Sequence, residues 1–262
     1  MKNFALIVSL MLCSLAAEAG PKKTVRICYG AWAPAMIPPG GKGSSERHGF
    51  LVDMFAEIYS QNGYQVTFQE MPYLRAVREV ESGNCDMSPS ATLAVSSTAL
   101  FSKTPSYFSE YVFFSRREVP FKYTGVDSLK KVIVGNVPGY DYSSLDPDFQ
   151  KYLNQKNNKM VMTVSGNASV DRLFRQMAMD RVDVFCEDLN VGSFLIDSMG
   201  IGKDVKIAGA LSKKLQLYAI FSPKDVKKSN ELIRLFEAEL EKNKDLREKY
   251  ISRYKIKALP RE

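Results

Sequence analysis

Val132-Ile133-Val134-Gly135-Asn136-Val137-Pro138-Gly139-Tyr140 restarts, in the middle of the chain, a pattern that the N-terminal part has already run once. A short β-rich run breaks on Gly, Pro and Asn and gives way to helical periodicity, the alternation of an α/β fold. Working back, Val25 to Tyr29 reads as a first strand, and Leu51, Met54, Phe55 and Ile58 share one helical face. Gln65 to Phe68 reads as a second strand, Leu74, Val77 and Val80 trace a helix ended by Gly83, and Asp86 to Ser88 begin a buried third strand. Tyr111 to Phe114 is an apolar strand leading into a polar connector, Ser115 to Gly125.

Working forward, Val132 to Val134 and Met160 to Val164 read as strands, Val170, Leu173, Phe174 and Met177 as a helical stripe, and Val182 to Phe185 as a further strand. Leu215 to Phe221 then returns to the first lobe, followed by a helix with Leu232, Ile233, Phe236 and Leu240 on its apolar side. This order predicts two α/β lobes, residues 20–112 with 214–262 and residues 113–213, joined by two crossing segments. Lobes joined in this way can hinge and bury a ligand between them. Ligands of open α/β sheets bind beyond the carboxyl ends of strands, which directs attention to the loops after Tyr29, Met87, Val134, Val164 and Phe185.

Lys2, the apolar run Phe4 to Ala16, and Ala17 and Ala19 around Glu18 have the order of a cleaved secretory signal. Removal of residues 1–19 is expected, with a mature start at Gly20 and a periplasmic location. Leu12 before Cys13 does not fit a lipoprotein, and the apolar run is shorter than the roughly 20 residues of a membrane span. The remaining 243 residues suffice for two compact lobes. Their net charge stays at +7, but the basic residues are scattered or mixed with acids, as in Glu241 to Lys249, so no nucleic-acid partner is expected.

Cys28, Cys85 and Cys186 survive cleavage, enough for one disulfide and one thiol left over. Their spacing fits no zinc pattern, and the single histidine, His48, reads as an exposed loop residue. No metal site, no cofactor and no His-dependent nucleophile is expected.

Several runs give the chain a family resemblance: Gly49-Phe50-Leu51-Val52-Asp53-Met54, Tyr73-Leu74-Arg75-Ala76 before Gly83-Asn84-Cys85-Asp86, Thr92, Phe101-Ser102 and Pro105-Ser106-Tyr107. Val134 to Tyr140, Arg181-Val182-Asp183 and Asp188 complete it. In order and spacing the chain resembles the family-3 extracellular solute-binding proteins that serve polar amino-acid ABC transporters. The resemblance implies a periplasmic binding fold of the second type, with a cleft walled by both lobes, but does not imply the ligand. A small polar solute, an inner-membrane ABC permease or sensor as partner, and a monomer are expected. It places the first and third strands side by side, which makes Cys28 and Cys85 the expected disulfide pair.

The resemblance also assigns the ligand-binding candidates. Amino-acid binders of this family carry, three residues after the threonine, an arginine that clamps the ligand carboxylate; here Val95 stands three residues after Thr92. Asp188, five residues after Asp183, matches the carboxylate that receives the ligand ammonium, or else serves as a helix N-cap. Arg75 is the nearest replacement cation, or a surface ion-pair partner. Trp32 would set a ring against the ligand, or else pack under its own Pro-rich loop, and Ser90 and Thr92 would offer hydroxyls, or else cap a turn. Gly139 and Tyr140 precede a helix start at Ser143, and Asn167 and Ser169 head the helix of Leu173.

Capture of a small solute between the lobes is the leading functional reading, and no activated nucleophile is evident. The alternatives are a periplasmic dehydratase or lyase using Asp188 or Glu187, and an orphan sensor or redox-associated binding protein.

Overall fold

The computed structural model describes residues 23–38, 48–257 and 259; the signal segment 1–19 lies outside them. The N-terminal half begins with strand β1 (Lys23–Tyr29), helix α1 (Phe50–Gln61), β2 (Tyr64–Glu70), α2 (Tyr73–Ser82) and β3 (Met87–Ala91). β1 lies parallel to both β2 and β3, with Val25 opposite Val66 and Ile27 between Phe68 and Met87. α1 buries Met54, Phe55 and Ile58 on the face read from the sequence. α2 ends where its chain turns left-handed at Gly83 (φ 86°), a conformation glycine adopts without steric cost.

Two short strands follow, β4 (Leu100–Phe101) and β5 (Tyr107–Ser109), and after the single residue Glu110 comes β6 (Tyr111–Arg116). The middle of the chain adds β7 (Val134–Asn136), α3 (Pro147–Leu153), β8 (Val161–Thr163), α4 (Ser169–Ala178), β9 (Val184–Asp188), α5 (Leu189–Met199) and β10 (Val205–Ala210). β11 (Leu215–Phe221), α6 (Val226–Lys242) and α7 (Leu246–Ser252) close it.

The strands form two sheets. One has the order β2-β1-β3-β11-β4 with β5 also on β11; the other has the order β10-β6-β9-β7-β8. β11 runs antiparallel to β3, and β6 antiparallel to β9 and β10. The chain thus passes between the sheets twice, at Glu110 and between β10 and β11.

Three sequence expectations change. Tyr111 to Phe114 is not the lead-in to a connector but a central strand of the second sheet, flanked by β9 and β10. A fully buried apolar run shows that a strand is central without showing to which sheet it belongs. Residues 115–125 accordingly stay with the second sheet, where Arg116 pairs with Asp183 at 2.9 Å. The helix expected from Ser143 starts at Pro147, because Asp146 caps it by accepting from the Phe149 N–H at 2.9 Å. His48 is not an exposed loop residue: its ring stacks on Phe68 at 4.3 Å, and its Nδ1 is buried without a hydrogen-bond partner.

Cys28 on β1 and Cys85 are disulfide-bonded, with Cα atoms 6.0 Å apart, and Cys186 is a buried thiol. Among the described residues no helix is long and apolar enough to cross a membrane, and no group of His, Cys, Asp or Glu is arranged to hold a metal.

Candidate functional site

The carboxyl ends of β1, β3 and β7 converge on one cavity of about 240 Å³ whose walls come from both sheets. Past β1, the backbone of Trp32 pairs with that of Met36 in both directions, which folds the loop back and turns the indole inward. The ring is only 6 % exposed and stands edge-on to Tyr107 at 5.9 Å. Ser90 within the last residues of β3 and Thr92 just after it line the cavity, and the buried Thr92 hydroxyl has no hydrogen-bond partner. The first turns of α2 contribute Leu74, Arg75 and Arg78.

The opposite wall carries Gly139, Tyr140 and Asp141 after β7, with Asn167 and Ala168 at the head of α4. Ser169 also lines it, donating to the Gly166 carbonyl at 2.7 Å. The two walls touch. Gly139, at φ +88°, lies so close to Leu74 that an added Cβ would stand 2.5 Å from its Cδ2.

Trp32, Arg75, Ser90, Thr92, Gly139, Tyr140 and Asn167 therefore meet around one space, whereas Asp188 is not part of its lining. The Asp188 carboxylate is fully buried and fully engaged. It accepts from Ser109 Oγ at 2.7 Å, from Tyr107 Oη at 3.0 Å, and from the N–H groups of Asn190 and Val191 at 2.9 and 3.0 Å. It is the N-cap of α5. Burial raises its pKa, and the hydrogen bonds from Ser109 and Val191 oppose that rise. Because four donors converge on it, Asp188→Ala is expected to cost roughly 2–4 kcal/mol of stability, measured by urea unfolding without ligand. A loss below about 0.5 kcal/mol would refute the capping role.

Glu187, one residue earlier, faces the other way, as alternate residues of a strand do. Its Oε1 accepts from Trp32 Nε1 at 2.9 Å and from the Asp188 N–H at 2.7 Å, and its Oε2 from Tyr140 Oη at 3.2 Å. The Trp32 bond joins the loop after β1 to a strand of the other sheet. Burial pushes the Glu187 carboxyl up to about 8; the neighbouring Asp188 adds to the rise, and the three donors limit it.

Sequence reasoning named Glu187 only as a conceivable acid and passed over Leu74, Arg78 and Tyr111, which line the cavity. Arg78 was findable, since it follows Arg75 by three residues and so shares its helical face. Leu74 and Tyr111 carried no such signal, being apolar positions that a core would equally use.

No protein-family model matches the chain, and comparison with curated proteins gives no match. Solved structures do match. An ancestral arginine-binding protein bound to arginine superposes with TM-score 0.71 at 17 % identity, over 88 % of this chain and 97 % of that one. GshT, from work on glutathione import through the cystine ABC importer TcyBC of Streptococcus mutans, gives TM-score 0.71 at 17 % identity, over 92 % and 98 %. The amino-acid ABC transporter substrate-binding protein AbpA of Streptococcus pneumoniae, bound to L-arginine, gives 0.69 at 20 %, over 88 % and 94 %. Likeness at this identity concerns architecture, and the architecture is that of the family the sequence resembles: the chain has the two-lobed fold of the extracellular solute-binding proteins, with its cavity between the lobes.

Proposed function

We propose that this protein is a periplasmic solute-binding protein that closes on a small solute between its lobes and presents it to an inner-membrane ABC permease. The lobes are taken as residues 20–110 with 214–262 and residues 111–213, which keeps β6 whole in the second, and the protein acts as a monomer after removal of residues 1–19. One observation carries the reading: a single cavity is walled by loops from both sheets, and those walls contact each other through Trp32–Glu187 and Leu74–Gly139. Such contacts exist only when the lobes are together, so a hinge between them gates access. The solved structures of like fold include arginine-bound binding proteins, which supports the same use of the cleft. Glu187 is not placed as a catalytic acid, since both its oxygens are engaged by protein donors and it does not line the cavity.

Gly139→Ala tests this reading. The new methyl meets Leu74 only when the lobes are closed, while the positive φ adds about 1–2 kcal/mol of backbone strain. The expected result is a wider protein by small-angle scattering and solute binding weakened about tenfold or more. Unchanged scattering and affinity would show that these walls do not part. Leu74→Ala in the same chain should restore closure by vacating the space, which separates a cleft effect from misfolding.

A further inference from the structure

The cleft's charges are arranged unevenly between its rim and its floor. The carboxylates nearest the floor, Glu187 and Asp188, are buried, engaged by protein donors, and absent from the lining. Asp141 lines the wall, but its carboxylate accepts from the Ser143 N–H at 2.9 Å within its own turn. That bond engages Oδ1 alone, and against this one carboxylate the lining carries two guanidinium groups. The rim is different. Arg75 and Arg78 stand on one face of α2 and line the cavity. Arg75 holds Glu79 only at 3.5 Å, and Glu79 is also bound by Asn84 Nδ2 at 2.7 Å. Arg78 forms no ion pair among the described residues.

The helix termini point the same way electrostatically. α2 and α4, from opposite lobes, both direct their N-terminal ends at the cavity, and neither is capped by a side chain. Partial positive charge from two helices therefore adds to that of two guanidinium groups. The unpartnered hydroxyl of Thr92, a residue only 9 % exposed, supplies a further polar contact in the same cavity.

The body of the cavity is apolar and aromatic: Trp32, Met36, Tyr111, Val137 and Leu217 face a space of about 240 Å³. That is below the roughly 300–1,000 Å³ of drug-sized sites, so the solute is about the size of one ring with a short chain. We propose that the cleft takes an organic anion with an apolar, ring-sized body, its anionic head held at the rim by Arg75 and Arg78. This rests on the binding-protein reading and narrows it. An α-amino acid fits less well than a plain carboxylate, because the lining sets one carboxylate, Asp141, against two guanidinium groups. Val95, in the position where the resembling amino-acid binders carry an arginine, lies outside the lining.

Thermal shift followed by calorimetry on the processed protein tests the class with three sets of probes. These are benzoate and 3-phenylpropionate, benzylamine and 2-phenylethylamine, and L-arginine and L-glutamine. The carboxylates are expected to raise the melting temperature and bind. 3-Phenylpropionamide should bind about tenfold more weakly than its acid, and Arg75→Ala with Arg78→Ala should weaken the acid by about the same factor or more. The double variant's melting temperature without ligand controls for folding. Amines or amino acids binding as well as the carboxylates would overturn the proposal while leaving a solute-binding protein. Carboxylates that fail to bind, or that bind the double variant undiminished, would overturn it too. Failure of all three sets to bind or to compact the protein in scattering would count against the binding-protein reading itself.

Discussion

Cys28→Ala combined with Cys85→Ala lowers the unfolding free energy by about 4 kcal/mol, the entropy that a bond between residues 57 apart removes from the unfolded chain. The bond ties β1 to the segment just before β3, so it fixes the two strands whose ends carry Trp32 and Thr92 into the cleft. Both cysteines belong to a small apolar cluster, with Val77, Val80 and Ile220, that is separate from the main core. For a chain of this size the loss corresponds to a fall in melting temperature of about 10 °C. Urea unfolding of the double variant, and of the native protein with and without dithiothreitol, measures it. The same change in midpoint from mutation and from reduction is expected. A difference below about 1 kcal/mol in both would remove the bond as a stabilising element. A bond of this value persists in an oxidising compartment, such as the proposed periplasmic location supplies.

Most of the architecture was legible because it rests on periodicity, and periodicity is a property of single elements. The stripe Leu232, Ile233, Phe236 and Leu240 in α6 and the helix-ending Gly83 follow from local rules. What was illegible was assignment between elements. β4 has only two residues and β5 only three, too few to show alternation, and β10 reads as VKIAGA with no clean period. β6 was visible as a strand but not as a member of the second sheet, since its pairing with β9 and β10 depends on residues some 70 to 100 positions away.

The candidate site divides in the same way. Its location followed from strand polarity, and Trp32, Ser90, Thr92, Gly139 and Tyr140 were reachable from the loops at strand ends. Which of two adjacent acids faces those loops was not reachable. Glu187 and Asp188 differ by one step along β9, and only the partners across the sheet decide. Tyr107 and Ser109 on β5 engage Asp188, and Trp32 and Tyr140 engage Glu187.

That division has a consequence for pH. In the closed cleft burial lifts the Glu187 carboxyl from its ordinary 4.5 to about 8. When the lobes part, Trp32 Nε1 withdraws and water reaches the carboxyl, whose pKa falls back toward the ordinary value. The closed form therefore binds the proton more tightly, and closure takes one up between pH about 4.5 and 8. The contribution to closure is complete below the lower value and is lost as pH rises through the upper one, by at most about 1.4 kcal/mol per unit. The other groups facing Glu187 are Tyr111 on β6, Tyr140 and Tyr142 after β7, and Cys186 and Asp188 on its own strand. Burial raises the tyrosines and the thiol well above their ordinary values, out of this window. Asp188 shifts upward as well, so a variant must separate the two acids.

Glu187→Gln does so. A glutamine carbonyl can accept from Trp32 Nε1 and the Asp188 N–H while its amide donates to Tyr140 Oη, reproducing the protonated acid at every pH. Trp32 is the only tryptophan, so its fluorescence reports the contact directly. In the native protein the emission should titrate with a midpoint near 8, and the melting temperature should fall over the same range. In Glu187→Gln both should be flat while Asp188 is untouched. Glu187→Ala, which strands two buried donors, should lose roughly 1–3 kcal/mol for each of them, with an open-cleft emission at all pH values. A native emission that does not change from pH 5 to 9, or a Glu187→Gln protein that still titrates near 8, would show that another group controls the contact.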